Sequence, residues 1–254
     1  MKRIILSGCN GKMGRVISQA AAEREDCSIV AGFDINTDRN ESYPVYAEPE
    51  AFDGEADVLI DFSHPAYLPK VLDFAAARHL PIVVATTGLS TEQRELLHQL
   101  AQTVPVFFSA NMSLGVNLIL DLCKKAAAVL SDSFDIEIVE MHHNQKIDAP
   151  SGTALMLADG IASVLPRAPQ YVYDRHSRRQ KRDKNEIGIH SVRGGTIVGE
   201  HEVLFAGTDE VITIRHSASS KRIFATGAIN AALFLSLQKP GVYDMSHLVS
   251  AIGG

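Results

Sequence analysis

At 254 residues, with 46% hydrophobic and 21% charged side chains, the chain has the composition of an ordinary water-soluble protein of one or two domains. A formal charge of −6 excludes a general nucleic-acid or anionic-membrane binder, because neither polyanion is attracted to the chain as a whole. Cys9, Cys27 and Cys123 lack metal-ligand spacing and read as reduced thiols, residues 4–6 are too short an apolar run for a signal peptide, and no run reaches bilayer length, so the expectation is a cytoplasmic protein.

Residues 3–7 form a short apolar run, Gly8-Cys-Asn-Gly11-Lys-Met-Gly14 follows at once, and residues 15–22 have helical spacing, which is the order strand, glycine turn, helix. The next strand-like run, 28–33, ends at Asp34, twenty positions beyond Gly14, the spacing at which a carboxylate meets the ribose in a dinucleotide fold. Glycines let the backbone approach a pyrophosphate, and the free N–H groups of a helix start welcome its charge. The spacing Gly-x-x-Gly-x-x-Gly is less specific than Gly-x-Gly-x-x-Gly and alone fits a turn in any α/β protein; strand, helix and Asp34 together point to a nucleotide. Asp34 repels the extra phosphate of NADP, whereas Lys12 and Arg39 are long enough to reach one, so NADH and NADPH both stay open.

Residues 38–49 read as a loop with an extended piece at Val45 and Tyr46. Buried strands are expected at 56–62, 81–85 and 104–108, alternating with helices at 65–78 and 90–102, the latter capped by Ser90 or Thr91. This alternation predicts an α/β, Rossmann-like, doubly wound parallel sheet, whose ligands bind at the carboxyl ends of strands. Those ends are Phe62-Ser-His64, Ala85-Thr-Thr-Gly88 and Ser109-Ala-Asn-Met112, small or polar groups that let a cofactor come close but that are also ordinary turn chemistry. His64, before Pro65, reads as a cap or surface residue.

Beyond Asn111 the pattern changes to a helix at 115–130, a strand at 134–141 and a helix at 151–165. Residues 166–184 carry a basic run, Arg175-His-Ser-Arg-Arg-Gln-Lys-Arg182, without interleaved aromatics, and read as a solvated loop. Strands at 187–192, 196–205 and 211–216 are separated by Gly194-Gly195 and Gly207-Thr-Asp209, read as hairpin turns, so a second α+β domain with an open mixed or antiparallel sheet is expected. The apolar helix at 224–237 returns to the first domain. The domains expected are 1–112 with 224–254, for the dinucleotide, and 113–223, for substrate and oligomerisation.

The stretch Glu140-Met-His-His-Asn-Gln-Lys146-Ile-Asp-Ala-Pro-Ser-Gly-Thr-Ala154 concentrates charge-handling groups. Imidazole, with an unperturbed pKa of about 6.5, exchanges a proton near neutrality. Lys146 eases proton donation by repelling a protonated histidine, and can hold a carboxylate. Ser151 can cap a helix whose first N–H groups, at Gly152 and Thr153, suit an anion. Adjacent strand residues face opposite ways, so His142 and His143 share one site only where the strand is ending. Neither histidine has an acidic or cysteine partner at metal-ligand spacing, and no metal is expected. A Ser-His-Asp hydrolase lacks its Gly-x-Ser-x-Gly turn here, and a nucleotide sensor would need no acid–base cluster.

The chain resembles the 4-hydroxy-tetrahydrodipicolinate reductase, or dihydrodipicolinate reductase, family in Gly8-Cys-Asn-Gly-Lys-Met-Gly-Arg15, Thr86-Thr-Gly88, Ala110-Asn-Met-Ser-Leu-Gly-Val-Asn117, the whole 140–154 stretch, Arg193-Gly-Gly195, Val198-Gly-Glu-His201 and Phe224-Ala-Thr-Gly-Ala228. The resemblance implies NADH- or NADPH-dependent reduction of a cyclic imine dicarboxylate in diaminopimelate and lysine biosynthesis, by a homotetramer. It implies that His142 gives the proton with help from Lys146, and that His143, Gly152 and Thr153 hold substrate carboxylates. It further implies cofactor contacts by Gly8, Cys9, Asn10, Gly11, Lys12, Met13, Asp34, Ala85, Thr86, Thr87, Ser109, Ala110, Asn111 and Met112. Two departures stand out. Ile35 follows the ribose-binding acid where members often carry arginine, and Lys221 with Arg222 stands where an arginine is common.

Overall fold

The computed structural model describes residues 1–38, 42–130 and 133–253; Arg39, weighed above as a phosphate ligand, lies outside them. In chain order the elements are β1 (Lys2–Ser7), α1 (Lys12–Ala22), β2 (Cys27–Phe33), β3 (Val45–Tyr46), β4 (Val58–Asp61), α2 (Leu68–Ala77), β5 (Ile82–Val84), α3 (Thr91–Leu100), β6 (Pro105–Phe108) and α4 (Leu114–Leu130). They continue with β7 (Asp135–His142), α5 (Gly152–Ala162), β8 (Gln170–Val172), β9 (Glu186–Arg193), β10 (Gly199–Ala206), β11 (Val211–Ala218), α6 (Arg222–Leu235), β12 (Gly241–Tyr243) and α7 (Met245–Gly253). The chain divides into two compact units, Met1–Leu114 with Lys221–Gly254, and Gly115–Ser220.

In the first unit seven parallel strands run in the order β12-β6-β5-β4-β1-β2-β3. Successive strand residues point to opposite faces. Ile4, Leu6, Val58, Ile60, Val83 and Phe107 therefore meet α1 and α6, while Ile5, Leu59, Ile82, Val84 and Val106 meet α2 and α3. Strands covered on both sides read as unbroken apolar runs, and each fully buried large side chain contributes roughly 1.5–3 kcal/mol. Ser90 caps α3 by accepting from the Gln93 N–H, with the Gln93 side chain returning the bond. The inner order 3-2-1-4-5-6 is that of a dinucleotide-binding sheet. α6 seats itself through Gly227, where an added Cβ would lie 1.6 Å from the Met112 carbonyl oxygen.

The second unit holds a mixed sheet in the order β11-β10-β7-β9-β8. α4 and α5 cover one face, burying Ile119, Cys123, Leu157 and Ile161 against Ile136, Ile138, Val203 and Phe205. The hairpin expected at Gly194-Gly195 does not form: β7 lies between β9 and β10, parallel to the first and antiparallel to the second. Local turn chemistry permits the hairpin, but the buried row of β7 is satisfied only with a partner on each side, and that long-range pairing wins. Gly207-Thr-Asp209 does close a hairpin, between β10 and β11, with Asp209 at φ 65°.

Most of 166–184 is exposed loop, as read from the sequence, but part of it is built into the fold. β8 lies within it, and its arginines fold back on carboxylates: Arg175 donates to Glu186 at 2.8 Å, and Arg182 donates to Glu137 and Asp135 at 2.9 Å each. The side chain of Arg182 is only 17% exposed. The pairing of these arginines was not readable because their acidic partners lie elsewhere in the sequence. Among the described residues no helix is long and apolar enough to cross a membrane.

Candidate active site

Sheet register gathers the first set of expected site residues. Ser7 lies beside Phe33 and Asp61, Asp61 beside Val84, and Val84 beside Phe108. One step on, Gly8, Asp34, Phe62, Ala85 and Ser109 form a row along the carboxyl edge. A cavity of about 430 Å³ opens there, lined by Gly8, Gly11, Asp34, Ile35, Ser63 and Tyr67 among others, where the strand order reverses between β1 and β4. Gly8 has φ +76°, and a Cβ on it would stand 2.5 Å from the Phe62 carbonyl oxygen, so only glycine fits. Asp34 accepts from the Asn10 N–H at 2.9 Å and the Asn36 N–H at 3.0 Å, tying the second strand to the glycine turn.

Cys9 and Met112 turn their side chains into the core. Lys12, Thr87 and Ala110 are exposed, and Met13 and Ser109 half-buried. Asn111 accepts from the Ser113 N–H at 2.9 Å, which shapes the turn after β6. Ala85 and Thr86 are buried, and Thr86 Oγ1 donates to Asp61 Oδ2 at 2.6 Å. Asp61, for which no role was expected, is wholly buried under this edge, and burial pushes its carboxyl above the ordinary range despite Ser63, Thr86 and Ser7 around it. His64 Nδ1 accepts from the Ala66 N–H at 3.1 Å, the cap expected of it, and Arg222 pairs with Glu23.

The second set lies at the end of β7. Its burial alternates, with Ile136, Ile138, Glu140 and His142 inward, so the row that builds the core becomes polar as the strand ends. Register then sets Glu140 between Ser191 and His201, and His142 beside Arg193. The Glu140 side chain is fully buried, and its oxygens accept from Arg193 Nη1 at 2.9 Å, Arg193 Nη2 at 2.7 Å, His142 Nδ1 at 2.6 Å and the Ser151 N–H at 3.2 Å. Burial opposes its ionisation, but hydrogen bonds from Arg193, Ser191 and His142 outweigh burial and hold the carboxyl at about 2. An ionised Glu140 only accepts, so His142 carries its proton on Nδ1 and exchanges protons through Nε2. A Cβ on Gly199 would lie 3.1 Å from that Nε2. Burial lowers the His142 imidazole below its ordinary value, outweighing Glu140, and Lys146 and Arg193 push the same way.

His143, just past the strand, is half-buried. Lys146, 21% exposed, pairs with Asp148 at 2.8 Å. Ser151 caps α5, accepting from the Ala154 N–H at 3.2 Å, and shares a 2.9 Å hydrogen bond with His201 Nε2. Gly152 and Thr153 open the helix, and the space where Gly152 would carry a Cβ is empty. Glu140, Arg193 and His201 received no role from sequence. The signal for Glu140 was its two-residue offset from His142; Arg193 and His201 were hidden by the hairpin expectation, which kept β7 from between their strands.

The sequence matches the family model for the N-terminus of dihydrodipicolinate reductase over residues 2–112, and that for its C-terminus over residues 115–249. The chain belongs to the dihydrodipicolinate reductase family. It is 54% identical over 249 residues to the 4-hydroxy-tetrahydrodipicolinate reductase of Caldanaerobacter subterraneus subsp. tengcongensis, covering 98% of each chain. With that of Staphylococcus saprophyticus it shares 48% over 248 residues, 97% of this chain and 100% of the other. The dipicolinate-bound dihydrodipicolinate reductase from Paenisporosarcina sp. TG-14 superposes with a TM-score of 0.82 at 27% identity, covering 96% of this chain and 97% of that one.

Proposed function

We propose that this chain reduces 4-hydroxy-tetrahydrodipicolinate, or the dihydrodipicolinate formed from it by loss of water, to tetrahydrodipicolinate in diaminopimelate and lysine biosynthesis, using NADH or NADPH. Its family and the names of its relatives support the reaction. The observation that carries the site assignment is the buried Glu140–His142 pair, which leaves one imidazole nitrogen for proton exchange beside Lys146 and a helix start.

The carboxyl-edge row fits a dinucleotide. Gly8, Cys9, Asn10, Gly11, Lys12 and Met13 bring a close-approaching glycine turn and the start of α1 to the pyrophosphate; Asp34 takes the ribose; Ala85, Thr86, Thr87, Ser109, Ala110, Asn111 and Met112 line the same edge. The reduced nicotinamide supplies hydride when bound. His142 delivers a proton from Nε2 to the reducing imine, so hydride and proton together make the added two hydrogens. Lys146 stabilises developing charge, and the dianionic substrate favours the protonated imidazole that the free site disfavours. His143 and the N–H groups of Gly152 and Thr153 hold the carboxylates. Ile35, 84% exposed after the ribose acid, offers no charge to a 2′-phosphate, so NADH serves at least as well as NADPH.

The assay is oxidation of each reduced cofactor in the presence and absence of freshly generated precursor. Turnover should require the precursor, and a purified protein inert with competent substrate and both cofactors would sink the proposal. His142→Gln and Lys146→Met should each lower kcat at least a hundredfold, within the range of general acid catalysis, while NADH binding stays unchanged. A homotetramer joined through the second unit is supported by the sheet face turned away from α4 and α5, where Val192 is 43% and Val211 60% exposed; sedimentation tests it. Three buried cysteines outside any disulfide suit the cytoplasm.

A further inference from the structure

Arg193 ends β9 and touches three things at once. Its guanidinium takes both oxygens of Glu140, at 2.7 and 2.9 Å; Nη2 also donates to the Asp148 carbonyl at 2.6 Å; Nη1 donates to the Val192 carbonyl at 2.8 Å. Asp148 in turn holds Lys146. One planar fork therefore spans the carboxylate that orients His142 and the loop that carries Lys146, which a lysine ammonium could not do.

A buried carboxylate 2.6 Å from an imidazole, left to itself, grips the imidazolium and makes it a poor proton donor. Here Glu140 is shared: the charge that would bind the His142 proton is already satisfied by Arg193. The groups facing His142 are Glu140 on its own strand, Arg193 at the end of β9, His201 on β10 at 5.3 Å between ring centroids, and Lys146 with Asp148 in the following loop. Among the described residues Glu140 is the one anion in direct contact with the imidazole, and it is the one Arg193 neutralises.

We propose that Arg193 is a positioning residue for the reduction: by engaging Glu140 and the Asp148 carbonyl together, it lets Glu140 orient His142 without trapping its proton, and it sets the Lys146 loop. The inference rests on His142 being the proton donor.

Three proteins test it, each carried through kcat against pH, NADH affinity, and NMR titration of the His142 imidazole. In Arg193→Gln the imidazole should titrate about one pH unit or more higher, the size expected when a neighbouring charge is uncovered. The alkaline limb of kcat should move up with it, kcat at neutral pH should fall about tenfold or more, and NADH affinity should stay as it was. Arg193→Lys keeps a charge but loses the fork; its limb should stay within a few tenths of a unit while kcat falls, and it decides the matter if the glutamine variant does not fold. A folded Arg193→Gln with an unmoved imidazole, or an Arg193→Lys with unaltered kcat at all pH values, overturns the proposal. His142→Gln separates the two readings: full turnover in that protein removes the donor assignment itself, whereas loss of turnover there beside an unmoved Arg193 variant removes only the inference about Arg193.

Discussion

Asp61 shows how a single residue can be essential without meeting a ligand. It is wholly buried at the end of β4, has no ion pair among the described residues, and receives the Thr86 hydroxyl at 2.6 Å. Burial favours its neutral form, one donor and one acceptor, which asparagine imitates. Asp61→Asn should therefore remain close to wild type in urea unfolding, and Asp61→Ala, which orphans Thr86, should lose roughly 1–3 kcal/mol. Equal damage from both would mean that the carboxyl works as an anion. Gly199 makes the complementary point in the other unit. A methyl group 3.1 Å from His142 Nε2 occupies the path of the proton, so Gly199→Ala should depress kcat about tenfold or more, with cofactor affinity intact. Gly199 lies in a motif that carries the family resemblance, but the role of a strand-end aspartate or a strand glycine emerges only from what the neighbouring strands bring against it.

At the scale of elements, β7 is the organising strand of the second unit. Its two-residue period was readable, and the structure puts His142 on the inward row. Its place at the centre of the sheet was not, because adjacent β9 and β10 carry turn glycines that look like a hairpin until β7 inserts. The inward row also fixes an acid lability. His201, held at about 4 mainly by burial, is neutral when folded but binds a proton when unfolded below its ordinary value of 6.5, so stability is full above pH 6.5 and falls between there and about 4. Glu140, held at about 2 against an ordinary value of 4.5, contributes stability above 4.5 that is lost as pH falls towards 2. Each contributes on the order of 3 kcal/mol across its window. Thermal melts against pH should show both windows, and His201→Gln should flatten only the upper one; an unchanged slope between pH 6.5 and 4 would rule His201 out. On α6, Gly227→Ala drives a methyl group into the Met112 carbonyl and should destabilise the protein by about 3 kcal/mol or more in urea unfolding.

Over the whole molecule, the parallel sheet was legible because strands buried on both faces leave continuous apolar runs, and Asp34 with the glycine turn marked its ligand edge. The acid–base stretch was legible as a list of residues; its geometry was not, since Arg193 and His201 arrive from strands fifty or more positions along the chain. β8 and β12 are three residues each, too short for periodicity to register. The pairing of the basic run was hidden for a related reason, its carboxylate partners being supplied by β7 and by Glu186. The discontinuity of the first unit has a consequence for biosynthesis. On the ribosome, Met1–Leu114 emerges first but lacks α6 and β12, whose Ala225, Ala228, Ile229 and Leu235 close one face of its sheet. The second unit, Gly115–Ser220, is continuous and can finish while the first still waits. A nascent chain stalled before α6 should thus resist protease in its later half and yield in its earlier half, the reverse of the usual order of synthesis, and the last stretch translated is the one that seals the oldest.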